Sequence, residues 1–156
     1  MAEHTAIIEW NRKGDPFTSD GYSRGHRWLF DGGVEVPASS SPQVIPLPLS
    51  VEEAVDPEEA FVASLSSCHM LWFLSVAEKE GYVAETYRDE AVGVMGKDAT
   101  GGLAITSVTL HPRVRFGGGL APTAEELGRM HEAAHGRCFI ARSVRSVIQV
   151  RPDLRR

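Results

Sequence analysis

Two sulfurs and one histidine pair carry most of the chemistry this sequence offers. Cys68 follows Ser64, Ser66 and Ser67 and precedes Ser75. These small polar side chains leave room for a reactant and can donate hydrogen bonds; they equally suit close helix–helix packing. A reactive thiol also needs a cation to hold it as thiolate. His69, one residue on, lies on a different helical face, so that cation has to come from elsewhere in the fold. Cys138 lies 70 residues further on, so there is no Cys-x-x-Cys pair. Either cysteine, taken alone, also fits a small core hydrophobe. His131-Glu132-Ala133-Ala134-His135 is formally H-E-x-x-H, with Cys138 as a conceivable third zinc ligand. Against a zinc peptidase, the 21 residues after His135 hold no His, no Glu and one acid, Asp153.

The elements that must position these groups are legible in part. Asp56 suits an N-cap, Pro57 the first helical position, and Glu58 and Glu59 the positive end of the dipole. A helix is predicted from there to about Glu80, stopped by Gly81. Phe61, Leu65, Cys68, Leu71, Trp72 and Val76 fall at helical spacing and form its apolar stripe. Thr123 to Glu126 has the capping-box pattern and opens a second helix to about Arg137, with Cys138 at its end or in a short continuation to Val144. Strands are predicted over His4–Trp10, His26–Phe30, Val34–Val36, Tyr82–Met95, Leu103–Phe116 and Ser146–Val150. Pro37 to Leu49, with four prolines, reads as a loop. The order β-β-β-α-β-β-α-β implies an α+β fold in one domain over residues 1–156.

Composition sets the remaining bounds. The chain has 156 residues, 42% hydrophobic and 24% charged, with a net charge of −5. That balance speaks against nonspecific affinity for nucleic acid or an anionic membrane. The longest apolar run, Met70 to Ala77, is interrupted by Ser75 and falls short of a membrane span. The start, Met-Ala-Glu-His, lacks signal-peptide character. A cytoplasmic, reducing location is expected, where two cysteines stay free, catalytic or metal-bound.

Several segments then resemble one family. Pro57-Glu58-Glu59-Ala60-Phe61 with Ser66-Ser67-Cys68-His69-Met70 resembles the signature of the osmotically inducible and organic-hydroperoxide-resistance proteins, the OsmC/Ohr family. Tyr22-Ser23-Arg24-Gly25-His26 with Phe30-Asp31-Gly32-Gly33 is similar to its N-terminal arginine and hairpin. Ile45-Pro46-Leu47-Pro48 is similar to its proline-rich loop, and Ala134-His135-Gly136-Arg137-Cys138-Phe139-Ile140-Ala141 to its second-cysteine motif. The likeness runs nearly the length of the chain and is nearest to the OsmC-like branch.

The resemblance implies an intertwined α+β homodimer of antiparallel sheets around a long central helix, with active sites at the interface. It implies a peroxidatic role for Cys68, a resolving role for Cys138, and Arg24 paired with Glu58 as the groups that hold the thiolate. Organic hydroperoxide is then the substrate, an external dithiol the reductant, and neither cofactor nor metal is needed. Glu58 and Cys68 are ten residues apart, about 15 Å along one helix. An arginine bound to that Glu58 hardly reaches that Cys68, so an antiparallel pair of helices from two chains suits the arrangement. Phe61, Leu71, Trp72 and Phe139 are candidates to line an apolar approach, or else plain core. Arg27 is a second candidate cation. Phe139 stands where better-known members carry proline. An apolar-ligand-binding or redox-sensing protein is the alternative to an enzyme.

Overall fold

The computed structural model describes residues 1–18 and 21–153. The chain falls into two compact units, Met1–Ala60 and Phe61–Arg156.

In the first unit, β1 (Ala6–Glu9), β2 (His26–Phe30) and β3 (Glu35–Ala38) form an antiparallel sheet in that order. The β2–β3 turn closes at Gly33, whose φ of 83° favours glycine. β3 begins and ends later than expected and takes in Pro37, whose missing N–H is tolerated on an edge strand.

The helix α1 (Pro57–Lys79) matches the predicted one closely. Asp56 Oδ1 accepts from Glu59 N–H (2.7 Å), and Glu59 Oε2 accepts from Asp56 N–H (3.2 Å), a reciprocal cap. At its other end Gly81 takes φ 82°, and the Tyr82 and Gly81 N–H groups bond back to Ala77 and Glu78. By length and composition α1 is long and apolar enough to cross a membrane, although none of its uninterrupted apolar runs is. Core helices of soluble folds meet the same test, and α1 supplies residues to both apolar clusters of the second unit.

Two long strands were expected after α1; four are found. They are β4 (Val83–Asp89), β5 (Val92–Lys97), β6 (Leu103–Leu110) and β7 (Pro112–Gly117). Asp89 makes the break. Its Oδ1 accepts from His111 N–H (2.6 Å) and its Oδ2 from Ser66 Oγ–H (2.5 Å). A carboxylate thus takes up the N–H just before Pro112 and ties the bend to α1. β4 pairs with β7, and β5 with β6, both antiparallel. β8 (Val147–Val150) joins β6 in parallel, so antiparallel pairing fails for this one ladder.

The rest of the second unit is α2 (Ala124–Arg137), with the Thr123–Glu126 capping box present, and α3 (Phe139–Ser143). One cluster gathers Phe73, Val76 and Ala77 of α1 with Leu127, Met130 and Ala134 of α2, flanked by Tyr87, Val114 and Phe116. The other gathers Leu65 with Val108 and Leu110, flanked by Val62, Ile105 and Ile148. β5 comes so close to α1 that a Cβ at Gly93 would sit 2.6 Å from Val62 Cγ2.

The buried stripe of α1 is Leu65, His69, Phe73, Val76 and Ala77. It is rotated from the predicted one. Leu71, expected inside, is 61% exposed, and His69, which lies off the predicted stripe, is 1% exposed.

Candidate active site

Cys68 projects from the middle of α1 and is half-buried; Cys138 is buried between α2 and α3. Both are free thiols. Cys138 caps two helices at once, ending α2 and opening α3, where its Sγ accepts from Ala141 N–H at 3.4 Å. Burial first, and then the neighbouring Cys68 thiol, push the Cys138 thiol up to about 11, with the Ala141 N–H opposing. The inner sulfur therefore keeps its proton at neutral pH.

An aromatic pair borders the two thiols. Trp72, one turn after Cys68, meets Phe139, the residue after Cys138, edge to face with centroids 5.4 Å apart. The Arg137 guanidinium lies over the Trp72 ring at 6.0 Å. Of the four expected lining residues, Leu71 and Phe139 are exposed, at 61% and 65%. Trp72 is half-buried and packs on the Phe73 cluster. Phe61 packs on the Leu65 cluster, as core.

Arg24 and Glu58 belong to the first unit. The Arg24 guanidinium stacks on the Tyr22 ring, 3.7 Å from its centroid, and donates to the Tyr22 carbonyl. Its backbone N–H is held by the Leu49 carbonyl at 2.7 Å. Glu58 is half-buried in the first turn of α1, where Asp56 and Glu59 make the cap instead. No ion pair joins Arg24 to Glu58 within the chain among the described residues. Arg27 is engaged on the sheet surface by Glu9 (2.7 Å) and Glu35 (3.0 Å).

The H-E-x-x-H histidines do something other than face a cleft. His131 lies in the core with its Nδ1 at 3.0 Å from His69 Nε2. The two rings are nearly coplanar in orientation, 4° apart, and Phe73 stacks on His131 at 4.2 Å. Burial, and secondarily His135, lowers His69 to about 4; burial, and secondarily His69, lowers His131 to about 3. Both are neutral at neutral pH. Among the described residues no group of three His, Cys, Asp or Glu side chains is placed to hold a metal ion. Sequence reasoning saw the motif and missed this bond, because its partner His69 sits 62 residues away.

The fold has known counterparts. Residues 50–153 match the family of OsmC-like proteins. An OsmC-like protein of unknown function from Vibrio cholerae is 52% identical, with a TM-score of 0.96 over 98% of this chain and 100% of that one. An organic hydroperoxide resistance protein from Elizabethkingia anophelis is 19% identical, with a TM-score of 0.71 over 97% and 94%. The organic hydroperoxide resistance protein OhrB of Bacillus subtilis is also 19% identical, with a TM-score of 0.68 over 99% and 98%. No curated protein matches the chain. The last two likenesses speak for the fold; the family match over most of the chain, with the 52% identical structure, speaks for descent, and the chain belongs to the OsmC-like protein family.

Proposed function

We propose that this protein is a thiol-dependent peroxidase that reduces organic hydroperoxides, with Cys68 as the attacking sulfur and Cys138 as the resolving one. The contrast in burial between two neighbouring free thiols supports this reading. It distinguishes the sulfurs in the way the reaction requires. The outer, half-buried Cys68 is the one a peroxide can reach. The inner Cys138 stays protonated until the first step is over.

In that first step the Cys68 thiolate attacks the terminal peroxide oxygen. The O–O bond breaks, the alcohol leaves after taking a proton, and Cys68 becomes a sulfenic acid. Cys138 then forms the S–S bond as the S–O bond breaks, and its thiol proton completes the departing water. An external dithiol returns both sulfurs to thiols by exchange. Arg24 holds the Cys68 thiolate and orients the peroxide, and Glu58 pairs with Arg24 across a homodimer. Two free thiols suit a cytoplasmic setting. The exposed Leu71 and Phe139 beside Trp72 suit an apolar substrate.

The test is direct. After treatment with tert-butyl hydroperoxide, peptide mass spectrometry is expected to find a Cys68–Cys138 disulfide within one chain. An unmodified Cys68 and no such bond would sink the proposal. Binding of an apolar ligand, unchanged in Cys68→Ser and without turnover, would point to a binding protein instead.

A further inference from the structure

His69 and His131 join the same two helices that bring Cys68 and Cys138 together. His69 follows Cys68 directly on α1. His131 precedes Cys138, the residue that caps α2, by seven residues, about two turns or 10 Å along the helix. The rest of the α1–α2 contact is Phe73, Val76 and Ala77 against Leu127, Met130 and Ala134. Such apolar contact is non-directional and tolerates sliding. The His69–His131 bond, at 3.0 Å, does not, and it is the one side-chain hydrogen bond from α1 to α2 among the described residues. Its burial is costly: His69 Nδ1, His131 Nε2 and His135 Nδ1 have no hydrogen-bond partner. Leucines would fill the same space without that cost, so stability alone does not account for the pair.

We propose that the His69–His131 bond is a register pin between α1 and α2, which makes both histidines positioning residues for disulfide closure between Cys68 and Cys138. A disulfide tolerates Cα separations of only about 4.4–6.8 Å. One residue of slippage on either helix moves a sulfur by about 1.5 Å along the axis and 100° around it, outside what closure accepts. The pin holds that register while Cys68 changes from thiolate to sulfenic acid. Both imidazoles remain neutral because burial lowers their pKa values, so one ring donates and the other accepts. The other titratable groups near them are His135 on α2 and the Tyr87 phenol on β4.

This inference rests on the thiol chemistry proposed above, and its test separates the two. His131→Phe keeps a ring against Phe73 and removes the bond. His69→Gln keeps a polar group near the Nε2 position, and His131→Asn near the Nδ1 position. After several equivalents of tert-butyl hydroperoxide, quenched mass spectrometry follows sulfenic acid, disulfide and sulfinic acid at Cys68. In folded His131→Phe, closure is expected to slow about tenfold or more, with sulfinic acid accumulating, as small misplacements cost reactions. The two conservative variants are expected to close within about threefold of wild type. A folded His131→Phe that closes at the wild-type rate overturns the pin, as do conservative variants that close as slowly as it does. Should His131→Phe not fold, His69→Met carries the same prediction. If wild type yields no sulfenic acid, the peroxidase reading falls by itself. The pin is then read with oxidised glutathione, where Cys138 displaces glutathione from a Cys68 mixed disulfide, again more slowly without the bond.

Discussion

Cys138, only 1% exposed, has the half-buried Cys68 as its neighbour, and burial together with that neighbour raises its thiol pKa to about 11. The inner sulfur is the one that burial keeps protonated, and the outer one is the sulfur that solvent reaches. Two cysteines of identical intrinsic chemistry are thereby made unequal by their places on the helices.

This inequality sets their alkylation rates. With a pKa near 11, Cys138 is thiolate in about one molecule in 10,000 at pH 7, and the thiolate is the reacting species. Iodoacetamide at pH 7 is expected to label Cys68 about a hundredfold faster than Cys138 or more. Peptide mapping over a time course measures both rates. Equal rates in the folded protein would remove the basis for assigning the two roles. In Cys138→Ser, one hydroperoxide is expected to take Cys68 to sulfenic acid and a second to take it on to sulfinic acid, with no further turnover.

Asp89 holds two elements at one carboxylate, Ser66 of α1 and the His111 backbone N–H. Asp89→Ala leaves that half-buried N–H without its acceptor. A loss of about 2 kcal/mol is expected, and each kcal/mol lowers Tm by about 2–4 °C in a chain of this size. Ser66→Ala removes only one of the two bonds and is expected to cost less. Thermal unfolding compares them, and equal losses would assign the effect to Ser66 alone.

At Gly93 the close approach of β5 to Val62 leaves no room for a side chain, with only 2.6 Å to Val62 Cγ2. Gly93→Ala is expected to destabilise by about 1–3 kcal/mol through overpacking. Gly93→Ala combined with Val62→Ala is expected to recover part of that loss, since the pair is coupled. Urea unfolding of the four chains gives the coupling. Strict additivity would mean that the clash relaxes elsewhere.

What the sequence disclosed was local. The Asp56 and Thr123 caps and the Gly81 stop bounded both long helices because each depends on neighbours within one turn. The buried face of α1 was misread because only apolar residues were counted. A histidine whose partner waits on another helix can be neutral and buried, and His69 took the inward position while Leu71 turned out. The bend at Asp89 escaped because alternation continues through it; Pro112 was the available sign. The parallel β6–β8 pairing and the meeting of Cys68 with Cys138 join residues far apart in the chain. Spacing alone could not supply either, and for the cysteines only the family resemblance pointed to the pair.

The buried histidines give stability a definite pH dependence. The unfolded chain takes up its histidine protons near pH 6.5, whereas His69 and His131 in the fold do so only near 4 and near 3. Between these limits the unfolded state binds more protons, so stability rises with pH. The contribution is complete above about pH 6.5 and is lost as pH falls towards 4, at about 1.4 kcal/mol per pH unit for each excluded proton. His69→Gln is expected to flatten this acid slope by one proton. Urea unfolding between about pH 4.5 and 7.5 reads it, and an unchanged slope would place the acid sensitivity on other groups.

Arg24 and Arg27 separate by their surroundings. Arg27 is 53% exposed, and its partners Glu9 and Glu35 are 45% and 54% exposed. Surface pairs of this kind contribute about 0–1 kcal/mol. Arg27→Ala is therefore expected to leave both stability and the rate of Cys68 oxidation near wild type. Arg24 is held half-buried, stacked on Tyr22 and bonded to its carbonyl. If its guanidinium supports the thiolate, Arg24→Ala slows sulfenic acid formation by roughly a hundredfold, the usual cost of removing one preorganised charge donor. Arg24→Lys retains charge but not the planar fork or the stack, and is expected to recover only part of the rate. Stopped-flow oxidation with tert-butyl hydroperoxide ranks the three. An Arg27→Ala chain as slow as Arg24→Ala would move the cationic role to the sheet surface and leave Arg24 a structural group.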